Sequence, residues 1–215
     1  MKEVLKKITP IYYLYHRFLK LRSKIKDWLI IPSYETKRKI IINISGRYNC
    51  NEVFLETGTF LGDTVASLKN YFSKLISIEL SKDLATKAQI RFQGESKIQI
   101  VQGDSAKQLS EILRLISTPV VFWLDGHYSS EFQAGSEYIV TGKGEKDTPV
   151  MEELMQISNH PIKDHLILID DARLFNGEND YPAKEEIKNF VQKNLPGHSF
   201  SIKKDIIRIL PTKIK

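Results

Sequence analysis

Val53-Phe-Leu-Glu56-Thr57-Gly58-Thr59-Phe60-Leu61-Gly62-Asp63-Thr64 is the segment on which the fold turns. It reads as an apolar strand ending in a carboxylate, then a tight glycine turn, then a second glycine at which a helix begins. Outward from it, apolar runs of strand length recur at Leu75–Ile78, Ile98–Val101, Val120–Leu124 and Leu166–Ile169, with helical or loop sequence between them. Strands alternating with helices predict a parallel sheet covered on both faces, and near-continuous apolar runs fit strands buried on both sides. The end of the chain differs. After a helix at about Ala183–Asn194, His198–Ile202 and Ile206–Leu210 flank Lys203-Lys204-Asp205 as the two strands of an antiparallel hairpin. The expected fold class is α/β: a doubly wound, mostly parallel, seven-stranded sheet with a C-terminal hairpin and an N-terminal helical extension.

At 215 residues the chain is long enough for one domain with its own core. The expected division is a basic amphipathic helical extension over residues 1–45 and a ligand-binding domain over residues 46–215. Cys50 is the single cysteine, which rules out an intramolecular disulfide and reads as a core residue. Residues 1–40 hold eleven Lys and Arg against Glu3, Asp27 and Glu35, a net +8, so the rest of the chain carries −2 of the total +6. Such a basic segment can face anionic lipid, nucleic acid or an acidic glycan. The apolar stretch Ile8–Tyr15 lacks a cleavage site, and no segment reaches the ~18 unbroken apolar residues of a membrane span. Leu5, Ile8, Tyr12, Tyr15, Leu19, Arg22 and Lys26 form a helical stripe that can pack on its own domain, on a second copy in a homodimer, or on a membrane surface through residues 1–30. The expected location is cytoplasmic, with peripheral contact at the inner membrane surface as a variant. Ile31-Pro32-Ser33 reads as a break, followed by a further helix over Tyr34–Ser45.

In a sheet of this kind a ligand lies across the carboxyl ends of the strands. There the chain offers Glu56, then Glu79, which can accept from both hydroxyls of a ribose, then Gly103-Asp104-Ser105, where an acid can accept from an adenine amino group. A dinucleotide site needs Gly-x-Gly-x-x-Gly to seat a pyrophosphate, whereas this chain has Gly58-x-x-x-Gly62. A site that opens with the Glu56 carboxylate suits the cationic ammonium and sulfonium of S-adenosylmethionine, which carries no phosphate.

Val53–Gly62, Ile78-Glu79 and Gly103-Asp104-Ser105 are similar to the first three motifs of the class I S-adenosylmethionine-dependent methyltransferases, whose fold is Rossmann-like, and the resemblance covers most of residues 50–211. It implies a cofactor-binding set of Glu56, Thr57, Gly58, Thr59, Gly62, Thr64, Glu79, Leu80, Gly103, Asp104, Ser105 and Asp125. Phe60 departs from the pattern, since many members carry glycine there.

The fourth strand ends in Leu124-Asp125-Gly126-His127 and the fifth in Ile169-Asp170-Asp171. Adjacent strands put Asp125 beside Asp170 and Asp171, and three gathered carboxylates repel one another unless protons or a cation neutralise them. The arrangement resembles metal-dependent O-methyltransferases of the catechol and macrolide-sugar (macrocin) types. That resemblance implies Asp125, Asp170 and Asp171 as ligands of a divalent cation, Mg²⁺ first, and methylation of a small-molecule or glycan hydroxyl. Where the sugar-modifying members read Asp-Gly-Asp, this chain reads Asp-Gly-His. The expected catalytic residues are His127, as base or ligand, and Asp125.

Between Ser129 and Pro149 runs a polar loop with Gly135, Gly142 and Gly144, expected to cover the acceptor as a lid. Thr148 is expected to cap the next helix, with Met151–Ile157 on the sheet, and Arg173 and Asn176 serve either the acceptor or the structure. Nucleic acid is the weaker partner: an RNA methyltransferase is favoured by the basic N-terminus alone, with no Asn/Asp-Pro-Pro-Tyr motif and no RNA-binding module. A non-catalytic protein that keeps the fold, docking through its basic N-terminus, is also compatible with the sequence. A sugar-nucleotide transferase fits less well, because it leaves Glu56 and Glu79 without a purpose.

Overall fold

The structure, a computed structural model, describes residues 31–126, 131–134, 137–142, 144 and 146–213. Its first helix, α1, runs Tyr34–Arg47, started by Ser33, whose hydroxyl accepts from the Thr36 N–H at 3.3 Å. The sheet then alternates with helices: β1 (Val53–Thr57), α2 (Asp63–Leu68), β2 (Lys74–Glu79), α3 (Lys82–Arg91), β3 (Ile98–Gln102), α4 (Ser105–Leu113) and β4 (Val120–Leu124). A short ribbon of β5 (Glu131–Ala134) and β6 (Glu137–Val140) follows, then α5 (Val150–Asn159), β7 (Leu166–Ile169), a 3₁₀ turn at Ala172–Leu174, α6 (Lys184–Asn194), β8 (His198–Lys203) and β9 (Ile206–Pro211).

The seven-stranded sheet has the order β3-β2-β1-β4-β7-β9-β8. The first five strands in that order are parallel, and β9 runs antiparallel to both β7 and β8. This is the doubly wound sheet with a terminal hairpin that the hydrophobic runs predict, each strand extending one or two residues further at most. The chain winds out from β1 through β2 to β3 and then returns to β4 on the other side of β1. That reversal opens a crevice at the carboxyl ends of β1 and β4.

Alternation along each strand divides the core into two layers. Leu55, Ile76, Ile78, Phe122, Leu124, Ile167 and Ile169 pack with Leu109, Leu113, Leu154, Ile157, Ile187 and Val191 of α4, α5 and α6. On the opposite face Phe54, Leu75, Val121, Trp123, Leu166 and Leu168 pack with Ile41, Ile44, Val65 and Leu68 of α1 and α2. Cys50 belongs to this second layer, as expected, with burial pushing its thiol up to about 11. Helix α1 therefore contributes core side chains to the same sheet, and Arg38 ties it down further through the Ser67 carbonyl (3.2 Å) and the Tyr71 hydroxyl (2.9 Å). Residues 1–30, with the helical stripe read from sequence, lie outside the described residues.

Two expectations are corrected. The 129–149 segment is not loop throughout but includes the β5–β6 ribbon, paired from Glu131↔Val140 to Ala134↔Glu137. Thr148 does not cap α5: the residue at its N-cap is Pro149, with no side-chain bond, and Thr148 is buried. Among the described residues no helix is long and apolar enough to cross a membrane.

Candidate active site

A cavity of about 500 Å³ opens at the carboxyl ends of β1 to β4, a volume in the range of small-molecule sites. Its floor and walls come from the strand ends foreseen in the sequence: Gly58 after β1, Glu79 at the end of β2 with Leu80 next, Gly103, Asp104 and Ser105 after β3, and Asp125 after β4. Gly58 has φ +87°, and a Cβ there would lie 2.5 Å from the Asp125 carbonyl oxygen. Glycine is thus required because the β1 and β4 turns touch each other.

Glu79 organises the first turn. Its two carboxylate oxygens accept from the backbone N–H of Phe60 and of Ser81, each at 2.8 Å. The turn therefore points N–H groups at a fixed carboxylate rather than at a ligand phosphate, which agrees with the missing dinucleotide fingerprint. Phe60 holds φ +51°, an unusual conformation for a bulky residue. Burial raises the pKa of Glu79 while its backbone hydrogen bonds oppose the rise. Asp104 is the N-cap of α4, accepting from the Ala106 N–H at 3.0 Å, and its other oxygen lies 3.6 Å from the Lys107 ammonium.

Five other members of the expected cofactor set do not line this cavity: Glu56, Thr57, Thr59, Gly62 and Thr64. Strand alternation explains the most consequential, Glu56. With Leu55 and Thr57 on the α5 side of the sheet, Glu56 projects to the α1 and α2 side, where the Ser77 hydroxyl donates to it at 2.7 Å and the Thr59 hydroxyl lies 2.6 Å from Ser77. Burial, opposed by the Ser77 hydrogen bond, pushes its pKa up to about 8. Thr57 points the opposite way, toward α5, and its hydroxyl lies under Gly126. There Glu153 is also buried, its pKa pushed up to about 7 by burial.

The far wall comes from the segment expected as a lid. Thr141, Gly142, Gly144, Lys146 and Asp147, on the return from the ribbon, close over the same cavity. A Cβ on Gly142 would meet Leu80 Cγ at 2.9 Å, so this segment lies directly on the β2 turn. The expected lid thus borders the cavity lined by Glu79 and Asp104. No local signal reveals this, because it depends on where a twenty-residue excursion comes back.

Asp125, Asp170 and Asp171 do gather, but with side-chain cations among them. Lys37 of α1 is hydrogen-bonded to the buried Asp170 through its ammonium, which also lies 3.7 Å from Asp171 Oδ1. Arg173 donates to Asp171 at 2.7 Å and is ion-paired with Asp205 of the terminal hairpin turn. Burial would lower the pKa of Lys37, yet Asp170, then Asp171 and Asp125, outweigh it and raise it; burial and then the Asp125 charge raise that of Asp170. The divalent-cation site expected from the three aspartates does not fit this arrangement, because the oxygens of Asp170 and Asp171 are already held by Lys37 and Arg173. Among the described residues no group of His, Cys, Asp or Glu is arranged to hold a metal ion. Arg173 therefore serves the structure, and Asn176 closes a local turn on Glu178 at 3.1 Å. His127 lies outside the described residues.

No protein-family model matches the chain and no curated protein matches its sequence. Solved structures do match. The SAH-bound methyltransferase of Podospora anserina superposes with a TM-score of 0.57 at 12% identity, over 93% of this chain and 88% of that one. The O-methyltransferase of Bacillus cereus in complex with SAH gives 0.54 at 13% identity, over 89% and 90%. The N-methyltransferase NodS of Bradyrhizobium japonicum with S-adenosylhomocysteine gives 0.53 at 12%, over 85% and 89%. The chain has the class I methyltransferase fold. Its sheet order, the β8–β9 hairpin and the cavity at the strand ends are the parts of that fold described above.

Proposed function

We propose that the protein is an S-adenosylmethionine-dependent methyltransferase acting on a hydroxyl of a small molecule or glycan. The observation that carries the reading is the cavity at the ends of β1 to β4. Among the described residues, five carboxylates, Glu79, Asp104, Asp125, Asp147 and Glu152, line it against two lysines, Lys107 and Lys146. That balance suits a ligand with a sulfonium and an ammonium and opposes a pyrophosphate. In this reading Glu79 accepts from the ribose hydroxyls, Asp104 lies at the adenine end, and Asp125 lies at the reacting end, where the crevice passes toward Asp170. When bound, S-adenosylmethionine would supply a sulfonium methyl group to the acceptor oxygen: the O–C bond forms as the C–S bond breaks, S-adenosylhomocysteine is the leaving thioether, and the hydroxyl proton passes to a base. The protein's share is positioning: Thr141, Gly142, Gly144, Lys146 and Asp147 keep water from the donor, and Asp125 orients the acceptor O–H. His127, two residues beyond Asp125, is the proposed base that takes the hydroxyl proton.

Calorimetric titration with S-adenosylmethionine and S-adenosylhomocysteine tests the cofactor without an acceptor. Micromolar binding is expected, weakened at least about tenfold in Glu79→Ala, which corresponds to roughly 1.4 kcal/mol or more. Absence of binding to the intact protein would sink the enzyme reading and favour a non-catalytic role for the fold. Once an acceptor is in hand, His127→Ala should lower kcat about 10²-fold or more and remove the acid limb of the pH profile. A loss confined to KM would assign His127 to acceptor binding instead.

A further inference from the structure

We propose that Lys37 is the resident cation of the acidic crevice and that its ammonium excludes a divalent metal from Asp125, Asp170 and Asp171. An ammonium is a compact charge with three N–H donors, and here it sits within hydrogen-bond reach of Asp170 and 3.7 Å from Asp171. The lysine side chain is 21% exposed and that of Asp170 2%, so the pair is shielded from bulk water. Its position is set by the fold. Lys37 lies one turn before Ile41, which is fully buried, so the face of α1 that packs on the sheet also aims Lys37 at the strand ends. Arg38 pins the same turn to Ser67 and Tyr71.

A small cavity of about 80 Å³ adjoins the ammonium, bordered by Tyr34, Thr64, Trp123, Asp125 and Asp170. Asp125 borders both this cavity and the large one, so Lys37 stands next to the reacting end of the proposed cofactor site. A metal bound by Asp170 would have to share its oxygens with Lys37 or displace it, and Arg173 already holds Asp171. Lys37 thus acts as a positioning residue that keeps Asp170 and Asp125 in register without an added ion.

The test uses the full chain and free Mn²⁺ read by electron paramagnetic resonance, independent of any acceptor or of S-adenosylmethionine binding. The wild-type protein and Lys37→Arg should leave Mn²⁺ free, while Lys37→Met, which keeps the apolar stem but removes the charge, should bind it at least tenfold more tightly. That gain should vanish in Lys37→Met combined with Asp170→Asn. Tight Mn²⁺ binding by the wild type, or equal behaviour of wild type and Lys37→Met, overturns the proposal. Should Lys37→Met fail to fold, Lys37→Gln, which retains a hydrogen-bond donor for Asp170, gives the same readout. Because the assay contains no S-adenosylmethionine, its failure is distinct from failure of the methyltransferase reading.

Discussion

Gly58 is the residue whose replacement should do most damage for its size. An alanine there must adopt φ +87° and place its Cβ 2.5 Å from the Asp125 carbonyl, a backbone atom that cannot swing aside. The left-handed conformation costs roughly 1–2 kcal/mol and the overpacking roughly 1–3 more. Gly58→Ala is therefore expected to lose about 2–5 kcal/mol in urea unfolding and, by pushing the β1 and β4 turns apart, to weaken S-adenosylhomocysteine binding as well. Unchanged stability would mean that the two turns separate readily and that the glycine serves only the ligand. Glu79 and Asp104 are legible as cavity-lining residues because each lies at or just beyond the carboxyl end of a strand. Glu56, one residue before the end of β1, belongs to the other face, a distinction of one residue in a period of two. Lys37 falls by composition within the solvated basic segment, and its spacing of four from Ile41 is the one local signal of its direction.

At the scale of elements, a chain of histidines ties α5, β4, β7 and β8 together at the end of the sheet opposite the cavity. The Val120 N–H donates to His165 Nδ1 at 3.1 Å, so that nitrogen carries no proton. His165 Nε2–H must then donate to His160 Nδ1 at 3.0 Å, which leaves His160 Nε2–H to donate to the Leu113 carbonyl at 3.0 Å. His198 Nε2–H donates to the His165 carbonyl at 3.1 Å. His165 is therefore held neutral, and burial, followed by repulsion from His160, pushes its pKa down to about 3. A depressed folded pKa means that the stability it contributes is complete above the unfolded value of 6.5 and is lost as the pH falls from there toward 3. At about 1.4 kcal/mol per unit this is a substantial fraction of a domain's stability. Glu56 and Glu153, whose pKa values are raised, act in the opposite sense, and their contribution fades as the pH rises from 4.5. The comparison that isolates the histidine is urea unfolding of wild type against His165→Leu from pH 7.5 to 4.5. The variant should be less stable at pH 7.5 by about 1–3 kcal/mol, through the orphaned Val120 N–H, yet show a flatter loss toward acid. Parallel pH curves for the two proteins would remove His165 as the titrating group.

For the whole molecule, side chains ahead of residue 46 contribute to the core of the sheet. Ile41 is fully buried and Ile44 nearly so, in the layer that also holds Phe54, Val121 and Trp123. A chain begun at residue 46 should lose roughly 4 kcal/mol or more from these two side chains alone and melt on the order of 10 °C lower, and it should lose the Lys37 cation with them. A melting curve that matches the full chain would restore residues 34–45 to the status of an appendage. The alternation of apolar runs with helices determined the sheet, its parallel strands and the terminal hairpin, because each is written in local periodicity and turn chemistry. The strand-end acids Glu79, Asp104 and Asp125 were legible for the same reason. Only the tertiary structure decided which way the strand-end side chains face, that the lid returns onto Leu80, and that a lysine from α1 reaches Asp170. Those outcomes depend on the twist and packing of elements that lie 60 to more than 130 residues apart in the chain, and no local pattern encodes such distances.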